Sequence, residues 1–589
     1  MTNLEIAKIF REIAILYEID EVPFKPRAYE RVASSLESLG QNVADIYETG
    51  GLKALEKIPG VGKNTALHIE ELIKTGRLKL YKELKKSLPI DIDDLTSVLG
   101  VGPKTIQILY KKLKIKNVVD LEKAARSGKI AKLAHFGEQS QEKILKGLEF
   151  YKKSHGRFLL GHVLPMARDI EERLRKIPGV DKVQTAGSIR RRQETIGDID
   201  TLITAKHPKK VMEIFTRMPE VEEILAEGPT KTTLRLNSGI QADVRILPPE
   251  DYGAALQYFT GDKNHNIEVR KIAIKKGLKL NEYGIFRGKK KLGGKTEEEI
   301  YKILGMGWME PELRTASGEI EAALRQACLA GRRAQGKPNG LPKIIGYDDI
   351  RGDLHVHTKW SEGLNTIQEM ALAGKKLGYE YISISDHVGT LHIANAMDEK
   401  KVLRQIKEID KLNAGFAKKK IGIKILKSAE TNISADGDID LPHKILEKLD
   451  IVLAAVHDHF NLSKEKMTAR IIRAMKHKNV NVIAHPTGRV ILQRPPYEID
   501  LDKILKAAKE LGVAMEINSF FDRLDLRDED IRKAVGLGVK MVINTDAHNK
   551  TQLNLMEYGI AQARRGWAEK KDVLNTWPLQ KMLDWFNKK

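Results

Sequence analysis

The chain has a single cysteine, Cys328, in 589 residues. A disulfide framework within one chain is therefore excluded, and a reducing cytoplasm is the compartment that fits. Long apolar runs are also missing. None approaches the roughly 20 residues needed to span a bilayer, and the opening Met-Thr-Asn-Leu-Glu-Ile has no signal-peptide pattern. Acidic residues are in deficit, with 101 Lys and Arg against 80 Asp and Glu, a formal charge of +21. The deficit is uneven. Residues 346–589 hold 40 basic and 34 acidic side chains, a net of +6, while the residues before them hold 61 and 46, a net of +15. A basic excess gathered in one region is the electrostatic footprint of nucleic acid. A membrane surface would need a basic amphipathic helix, and none stands out. Thermal adaptation would raise Lys and Glu together and leave the sign unexplained. The length accommodates about three to four domains.

The richest stretch runs from Gly187-Ser188 through Arg190-Arg191-Arg192 to Gly197-Asp198-Ile199-Asp200. With Ile199–Ile203 as a strand, Asp198 and Asp200 point to one face. Two carboxylates on one face repel unless a cation lies between them, and hard oxygen ligands suit a divalent cation for phosphoryl transfer. The Gly-Ser pair lets backbone N–H groups approach a phosphate, and the arginines supply charge to neutralise it. A lone Asp-x-Asp also suits a solvated turn, but the full run does not. Downstream, Gln241–Leu247 alternates as a strand should, so Asp243 shares a face with Gln241 and Arg245. On an adjacent strand it would complete a set of three carboxylates able to hold two Mg²⁺ or Mn²⁺ ions.

This run resembles the nucleotidyltransferase signature of family X DNA polymerases, and Tyr258-Phe259-Thr260-Gly261-Asp262-Lys263-Asn264-His265-Asn266 is similar to the segment on which they seat the incoming nucleotide. The resemblance implies catalytic, metal-binding Asp198, Asp200 and Asp243. It implies triphosphate contacts from Gly187, Ser188, Arg191 and Gly197, with Gly261 and Lys263 in the nucleotide segment. Tyr258 and Phe259 would line the sugar pocket and disfavour a ribose 2′-OH. Asn266 would reach the minor-groove edge of the base, and Arg270 the template strand.

Upstream, Ile58-Pro59-Gly60-Val61-Gly62-Lys63 recurs as Val98-Leu99-Gly100-Val101-Gly102-Pro103-Lys104. A Gly-x-Gly hairpin joining two helices exposes N–H groups at the start of the second, where they and the helix dipole bind a DNA phosphate. Gly60, Gly62, Lys63, Gly100, Gly102 and Lys104 are the DNA-binding candidates, and Leu133–Ser140 is a degenerate third copy to be tested. Where animal family X enzymes place a Schiff-base lysine, this chain has His68. An imidazole cannot form that imine with an aldehyde, so the region reads as a grip on DNA without lyase chemistry.

Of 16 histidines, 10 lie between 355 and 548, in clusters that follow β-like apolar segments. Imidazole and carboxylate together suit Zn²⁺, Mn²⁺ or Fe²⁺. Repeated strand-then-helix units suggest a parallel barrel that gathers ligands at its strand ends. The pattern resembles the PHP (polymerase and histidinol phosphatase) domain, a distorted β/α barrel with a multinuclear metal centre. The resemblance implies the ligands His355, His357, Glu362, His387, Glu430, His457, His485, Asp546 and His548. Glu362 departs from the family, which often has Ser-Asp-Gly where this chain has Ser361-Glu362-Gly363. His392, His443 and His477 fit no motif.

The expected fold is therefore multidomain α/β: helical DNA-binding domains at 1–85 and 86–150, a nucleotidyltransferase palm at 151–250, a thumb at 251–331, a linker at 332–349 and a PHP barrel at 350–589. The expected function is a cytoplasmic, monomeric DNA repair polymerase that fills short gaps. It would take gapped or primer-template DNA and dNTPs, and carry a phosphoesterase acting as a 3′–5′ exonuclease, 3′-phosphatase or abasic-site endonuclease. The alternatives are another nucleotidyltransferase, or a DNA-binding scaffold with an inactive PHP domain. The charge distribution predicts DNA affinity that falls steeply with salt, since each neutralised phosphate releases counterion. Residues 1–330 should bind DNA much more tightly than 346–589. Equal affinities in the same buffer would contradict the charge argument.

Overall fold

A computed structural model describes residues 1–589 apart from 2, 38, 40, 41, 97, 99, 135, 155, 331–339, 390–394 and 589. It divides into two compact units. The first comprises Met1–His155 with Arg489–Pro496 and Asn549–Gln552, and the second comprises the remainder. No helix of the described residues is long and apolar enough to cross a membrane.

Within the first unit, two helical cores each surround one Gly-x-Gly hairpin. Ile58, Val61, Ala66 and Ile69 are buried in one, and Val98, Val101, Ile106 and Leu109 in the other. The hairpins are built alike. Gly60 and Gly100 take φ of 81° and 88°, open only to glycine at little strain. Gly62 and Gly102 then cap helices α1 (Lys63–Thr75) and α2 (Pro103–Leu113).

In the second unit, helix α3 (Leu160–Arg175) leads into a five-stranded sheet among the described residues. Its strands are β1 (Val180–Thr185), β2 (Asp198–Ala205), β3 (Val221–Glu227), β4 (Lys231–Leu236) and β5 (Gln241–Ile246), in the order β1-β2-β5-β4-β3. Only β2 and β5 pair in parallel, with Asp200 opposite Asp243. Helices α4 (Tyr252–Thr260), α5 (Lys263–Lys275) and α6 (Glu297–Ile303) follow. A small sheet of Lys279–Asn281, Gly284–Arg287 and Lys290–Gly293 lies between α5 and α6 in the chain.

The last part is a near-closed parallel barrel. Its described strands are β6 (Gly352–Asp353), β7 (Tyr381–Ile384), β8 (His387–Val388), β9 (Lys424–Asn432), β10 (Ile451–Ala455), β11 (Val482–Ile483), β12 (Ala514–Asn518) and β13 (Met541–Asn544). They run β6-β7-β9-β10-β11-β12-β13, with β8 beside β9. A parallel bridge from Val356 to Ala547 draws the two edges together. Alternate strand residues enter two cores. Ile382, Val452, Met515 and Ile543 join one, and Tyr381, Leu453, Ala514 and Val542 join the other together with Met582 and Phe586.

The expected linker at 332–349 is corrected in its second half. Residues 331–339 fall outside the description, but Ile345 is fully buried in the barrel core and its N–H donates to the Ala568 carbonyl at 2.9 Å. A fragment beginning at 346 would lose that side chain, so the DNA-binding comparison is better begun earlier in the chain. Barrel and sheet also share one compact unit. A Cβ on Gly161 of α3 would fall 2.3 Å from the Phe521 ring, so only glycine fits there.

One buried ion network ties the elements around the five-stranded sheet. Arg190 places Nη1 and Nη2 at 2.8 and 2.7 Å from the two oxygens of Glu297, and Arg314 also donates to both. Burial alone would raise the Glu297 pKa, but Arg314 and Arg190 outweigh it and hold the carboxyl at about 2. A depressed carboxylate stabilises the fold above its unfolded pKa and loses that contribution as pH falls through the folded value. The contribution is on the order of 3 kcal/mol. Glu297→Gln should therefore lower the melting temperature at pH 7, where it leaves Arg314 buried without its charge partner. The gap from wild type should close between pH 4.5 and 2; parallel melting-temperature curves across that range would refute the network's role.

Candidate active sites

The first site is built where β2 and β5 lie side by side. Strand alternation and parallel register bring Asp198, Asp200 and Asp243 together as expected. The Asp200 carboxyl is pushed up to about 7, by burial first and then by the Asp198 and Asp243 charges. Asp198 is raised by burial and then by Asp243. Arg245 and Lys231 offset this for Asp200, and Arg157 and Arg191 for Asp198, only in part, and three carboxylates so close together are the chemistry of a divalent cation site. Gln241 Nε2 donates to Asp243 Oδ2 at 2.7 Å and Thr233 Oγ1 to Oδ1, so Asp243 is held in place. Gly187, at φ 60°, approaches so closely that a Cβ there would lie 3.0 Å from Asp200 Oδ2. Ser188 follows in the same short helix, Gly187–Arg190, and Gly197 directly precedes β2.

The three arginines have separate fates. Arg190 is tied to Glu297, which it shares with Arg314, and to the Thr260 hydroxyl, so its guanidinium is engaged within the protein and does not face a phosphate as the run of three arginines suggests. Arg191 donates to the Thr260 carbonyl, and its pKa is lowered by burial against the opposing pull of Asp262 and Asp200. Arg192 takes φ 53°, and its carbonyl accepts from Arg565 Nη1 at 3.2 Å.

Tyr258 and Phe259 end α4 with their rings edge to face at 5.1 Å, and Arg245 lies over Phe259 at 4.7 Å. Lys263 opens α5 exposed. The Asn266 amide is committed to the turn around Gly261. It donates to the carbonyls of Tyr258 and Gly261 at 2.6 and 2.9 Å and accepts from Gln257 at 3.1 Å. A Cβ on Gly261 would fall 2.6 Å from its Oδ1. Asn266 thus shapes the segment in this structure and does not extend from it, whereas Arg270 is exposed one turn further on.

In the first unit, Lys63 and Lys104 are exposed on the first turns of α1 and α2, beside the hairpin glycines. The first four N–H groups of each helix have no intrahelical acceptor. His68 lies 3.1 Å from the Tyr29 hydroxyl through Nδ1, and burial lowers its pKa. The third hairpin reading falls partly outside the described residues, at 135; helix Glu138–Ser154 follows it.

The second site lies at the carboxyl ends of the barrel strands and gathers all nine expected ligands. Glu430 is its centre. Its Oε1 is 3.1 Å from His457 Nε2 and 2.9 Å from His485 Nε2, and its Oε2 is 3.0 Å from His387 Nδ1 and 3.3 Å from His355 Nε2. Glu362, the departure from the family pattern, is included. Its Oε1 is 3.3 Å from His357 Nδ1 and from His387 Nε2, and 3.1 Å from His548 Nε2. Asp546 Oδ1 approaches His357 Nε2 at 3.1 Å. Four overlapping three-residue groups have their ligand atoms within 4.8 Å of one another. Despite these approaches, both Glu362 oxygens, both His357 nitrogens and His355 Nε2 are buried with no hydrogen bond of good geometry. Buried ligand atoms crowded against one another without well-formed hydrogen bonds are what a multinuclear metal centre requires. Burial would raise the Glu430 pKa, but His387, His355 and His457 hold it well below the usual range, so it is an anion as a ligand must be.

Sequence reading missed the groups that orient these ligands. Glu516 accepts from His355 Nδ1 at 2.8 Å, from Asn544 at 2.9 Å and from the His485 N–H at 2.7 Å. Its signal was a lone acid inside the apolar strand Ala-Met-Glu-Ile-Asn. Asp386 stands within a histidine cluster yet is no ligand. It accepts from Thr358, Ser361 and Gln405, each at 2.6 Å, and clamps the loop that carries Glu362.

Glu430→Ala should lose bound metal and phosphoesterase activity together, because one carboxylate lies against five imidazoles. Elemental analysis of the purified variant beside a nuclease assay makes the check. Full occupancy with unchanged nuclease activity would remove Glu430 from the centre.

Comparison with known proteins matches these parts in order. Residues 1–78 match a helix-hairpin-helix domain, 92–149 a SAM-like helix-hairpin-helix tandem, 255–315 the DNA polymerase beta thumb and 353–520 the PHP domain. Bacillus subtilis "DNA polymerase/3'-5' exonuclease PolX" is 36% identical over 581 residues, 98% of this chain and 97% of that protein. A "probable phosphatase" of Thermoanaerobacter is 34% identical over 239 residues, 38% of this chain and 89% of that protein. Rat "DNA polymerase lambda" is 26% identical over 349 residues, 53% of this chain and 56% of that protein. With helix-hairpin-helix units, a polymerase-beta-type thumb and a PHP barrel in one chain, and an alignment along nearly its whole length, the chain belongs to the bacterial PolX-type family X DNA polymerases.

Proposed function

We propose that this family X polymerase fills short gaps during cytoplasmic DNA repair, as a monomer, and processes 3′ ends in its PHP barrel. The observation that carries the polymerase reading is the parallel register that seats Asp200 against Asp243, with Asp198 on the same face and Gly187 in close approach. Residues 1–85 and 86–150 act as two grips on the DNA backbone, 151–250 as palm, 251–331 as thumb and 350–589 as phosphoesterase. Gly60, Gly62 and Lys63, and Gly100, Gly102 and Lys104, offer helix N-termini and lysines to phosphates.

Asp198, Asp200 and Asp243 would hold Mg²⁺ or Mn²⁺, which when bound supply charge compensation for a triphosphate and its leaving pyrophosphate. The chain's own residues do the positioning. Gly187 and Ser188 bring backbone N–H groups to the phosphates, Arg191 adds a cation, and Tyr258 and Phe259 close over the sugar. Thr233 and Gln241 hold Asp243, which would help activate a primer 3′-OH for attack on the α-phosphorus. Catalysis of this kind rests on orientation and electrostatic stabilisation. In the barrel the nine ligands would hold Zn²⁺, Mn²⁺ or Fe²⁺, which when bound supply Lewis-acid activation of a phosphoester. Glu516 and Asn544 keep His355 and its neighbours oriented.

Primer extension on gapped DNA, run with dNTP and rNTP separately, tests the reading. Wild type should incorporate dNTP and disfavour rNTP. Asp200→Ala should lose incorporation by roughly a thousandfold and keep 3′–5′ nuclease activity. Incorporation near the wild-type rate in that variant would overturn the assignment.

A further inference from the structure

The barrel is more than an appended nuclease. Its helix α7 (Met556–Arg565) lies within the second unit, and three of its side chains leave the barrel for elements around the first site. Glu557 forms a two-point ion pair with Arg168 of α3, at 2.9 and 2.7 Å. Arg564 is buried and donates from Nε to Glu312 Oε1 at 2.7 Å, while its Nη2 lies 3.1 Å from Glu310. Arg565, also buried, donates to the carbonyl of Arg192 at 3.2 Å. Its guanidinium is itself fixed by Asp528 and by Gln562 Oε1, the latter at 3.2 Å.

The target of Arg565 explains why this matters. Arg192 ends the turn that begins at Gly187, and it takes φ 53°, a strained setting for a residue with a Cβ. Such a backbone persists only where its surroundings determine it. The turn has few anchors of its own: Arg191 N–H to the Gly187 carbonyl at 3.3 Å, Arg192 N–H to the Ile189 carbonyl at 2.9 Å and Gln193 N–H to the Ser188 carbonyl at 2.9 Å. At its start the turn is also held by the Ala186 N–H on the Asp200 carbonyl and the Arg190 N–H on the Ala186 carbonyl, and by side chains through Arg190 and Arg191 on Thr260 and the Arg190–Glu297–Arg314 network; at its Arg192 end the Arg565 bond is the hold supplied by the barrel. That network also leads back to α7, because Glu312, the partner of Arg564, is two residues from Arg314. One barrel helix thus reaches the turn by two routes.

We propose that Arg565 is a positioning residue for polymerisation: through the Arg192 carbonyl it sets the Gly187–Arg192 turn in the geometry that receives the triphosphate. The proposal rests on the polymerase reading above. Among the described residues Arg565 bonds to Arg192, Gln562 and Asp528 and to none of the barrel's nine metal-ligand candidates, so its loss should act on dNTP affinity and leave end processing intact.

The test uses the full chain carrying Arg565→Gln, with gap filling and 3′–5′ nuclease rates measured on one preparation. The KM for dNTP should rise about tenfold, the effect of one charge-assisted hydrogen bond to backbone, with kcat and nuclease rate within about twofold of wild type. Arg565→Lys should recover part of the KM, since an ammonium still donates to a carbonyl. A wild-type KM in Arg565→Gln, with wild-type incorporation intact, overturns the proposal alone. Absence of dNTP incorporation by wild type overturns the polymerase reading and this proposal with it. If Arg565→Gln fails to fold, Asp528→Asn removes the charge that orients Arg565 and should raise the dNTP KM in the same direction; no change there also overturns it.

Discussion

Like charges held together against their repulsion are the constraint on which the rest of this structure depends. Parallel pairing of Asp198–Ala205 with Gln241–Ile246 leaves Asp200 no choice but to face Asp243. The surroundings follow from that pairing. The Ala186 N–H bonds to the Asp200 carbonyl, which draws the Gly187 turn onto the strand, so that a side chain at Gly187 would press on the Asp200 carboxylate. The barrel meets the same constraint with opposite bookkeeping of charge, since Glu430 sits among imidazoles and is kept ionised by them.

Much of this was legible in the sequence because it is local. Asp198 and Asp200 lie two apart on a strand, and the histidines follow buried strands one cluster at a time. A period of two or a strand end is enough to place them. The rest depends on pairings no local pattern encodes. Arg190 stands in a run of three arginines that reads as free charge, yet its partner Glu297 lies 107 residues away. Asn266 reads as a hand extended to a base, but Gly261 and Tyr258 present carbonyls that take its amide. Glu362 was the uncertain ligand because it is longer than the usual aspartate, and the fold brings it among His357, His387 and His548 all the same.

The end of the expected linker was hidden from the sequence for a related reason. Composition marks residues 332–349 as a connector, rich in Gly, Pro and charge. Yet Ile345 fills the barrel core and the Tyr347 hydroxyl reaches Glu312 at 2.9 Å. Composition reports what a segment tolerates in isolation, whereas burial is decided by the surfaces it meets. The polymerase-type sheet and the barrel therefore belong to one packed unit, with Arg168–Glu557 and Arg564–Glu312 among the ion pairs between them.

The two hairpins carry a consequence of their own. Gly60–Gly62 and Gly100–Gly102 repeat one backbone arrangement, down to the N–H of Val61 and of Val101 each donating at 3.0 Å to the carbonyl three residues back. Contacts made by amide hydrogens at a helix start recognise phosphates and are indifferent to what hangs from the sugar. If the hairpins grip DNA as proposed, a strand that has lost a base, or carries a distorted one, would present them with the same row of anions as an intact strand. A grip of that kind would keep its hold on sound and damaged DNA alike.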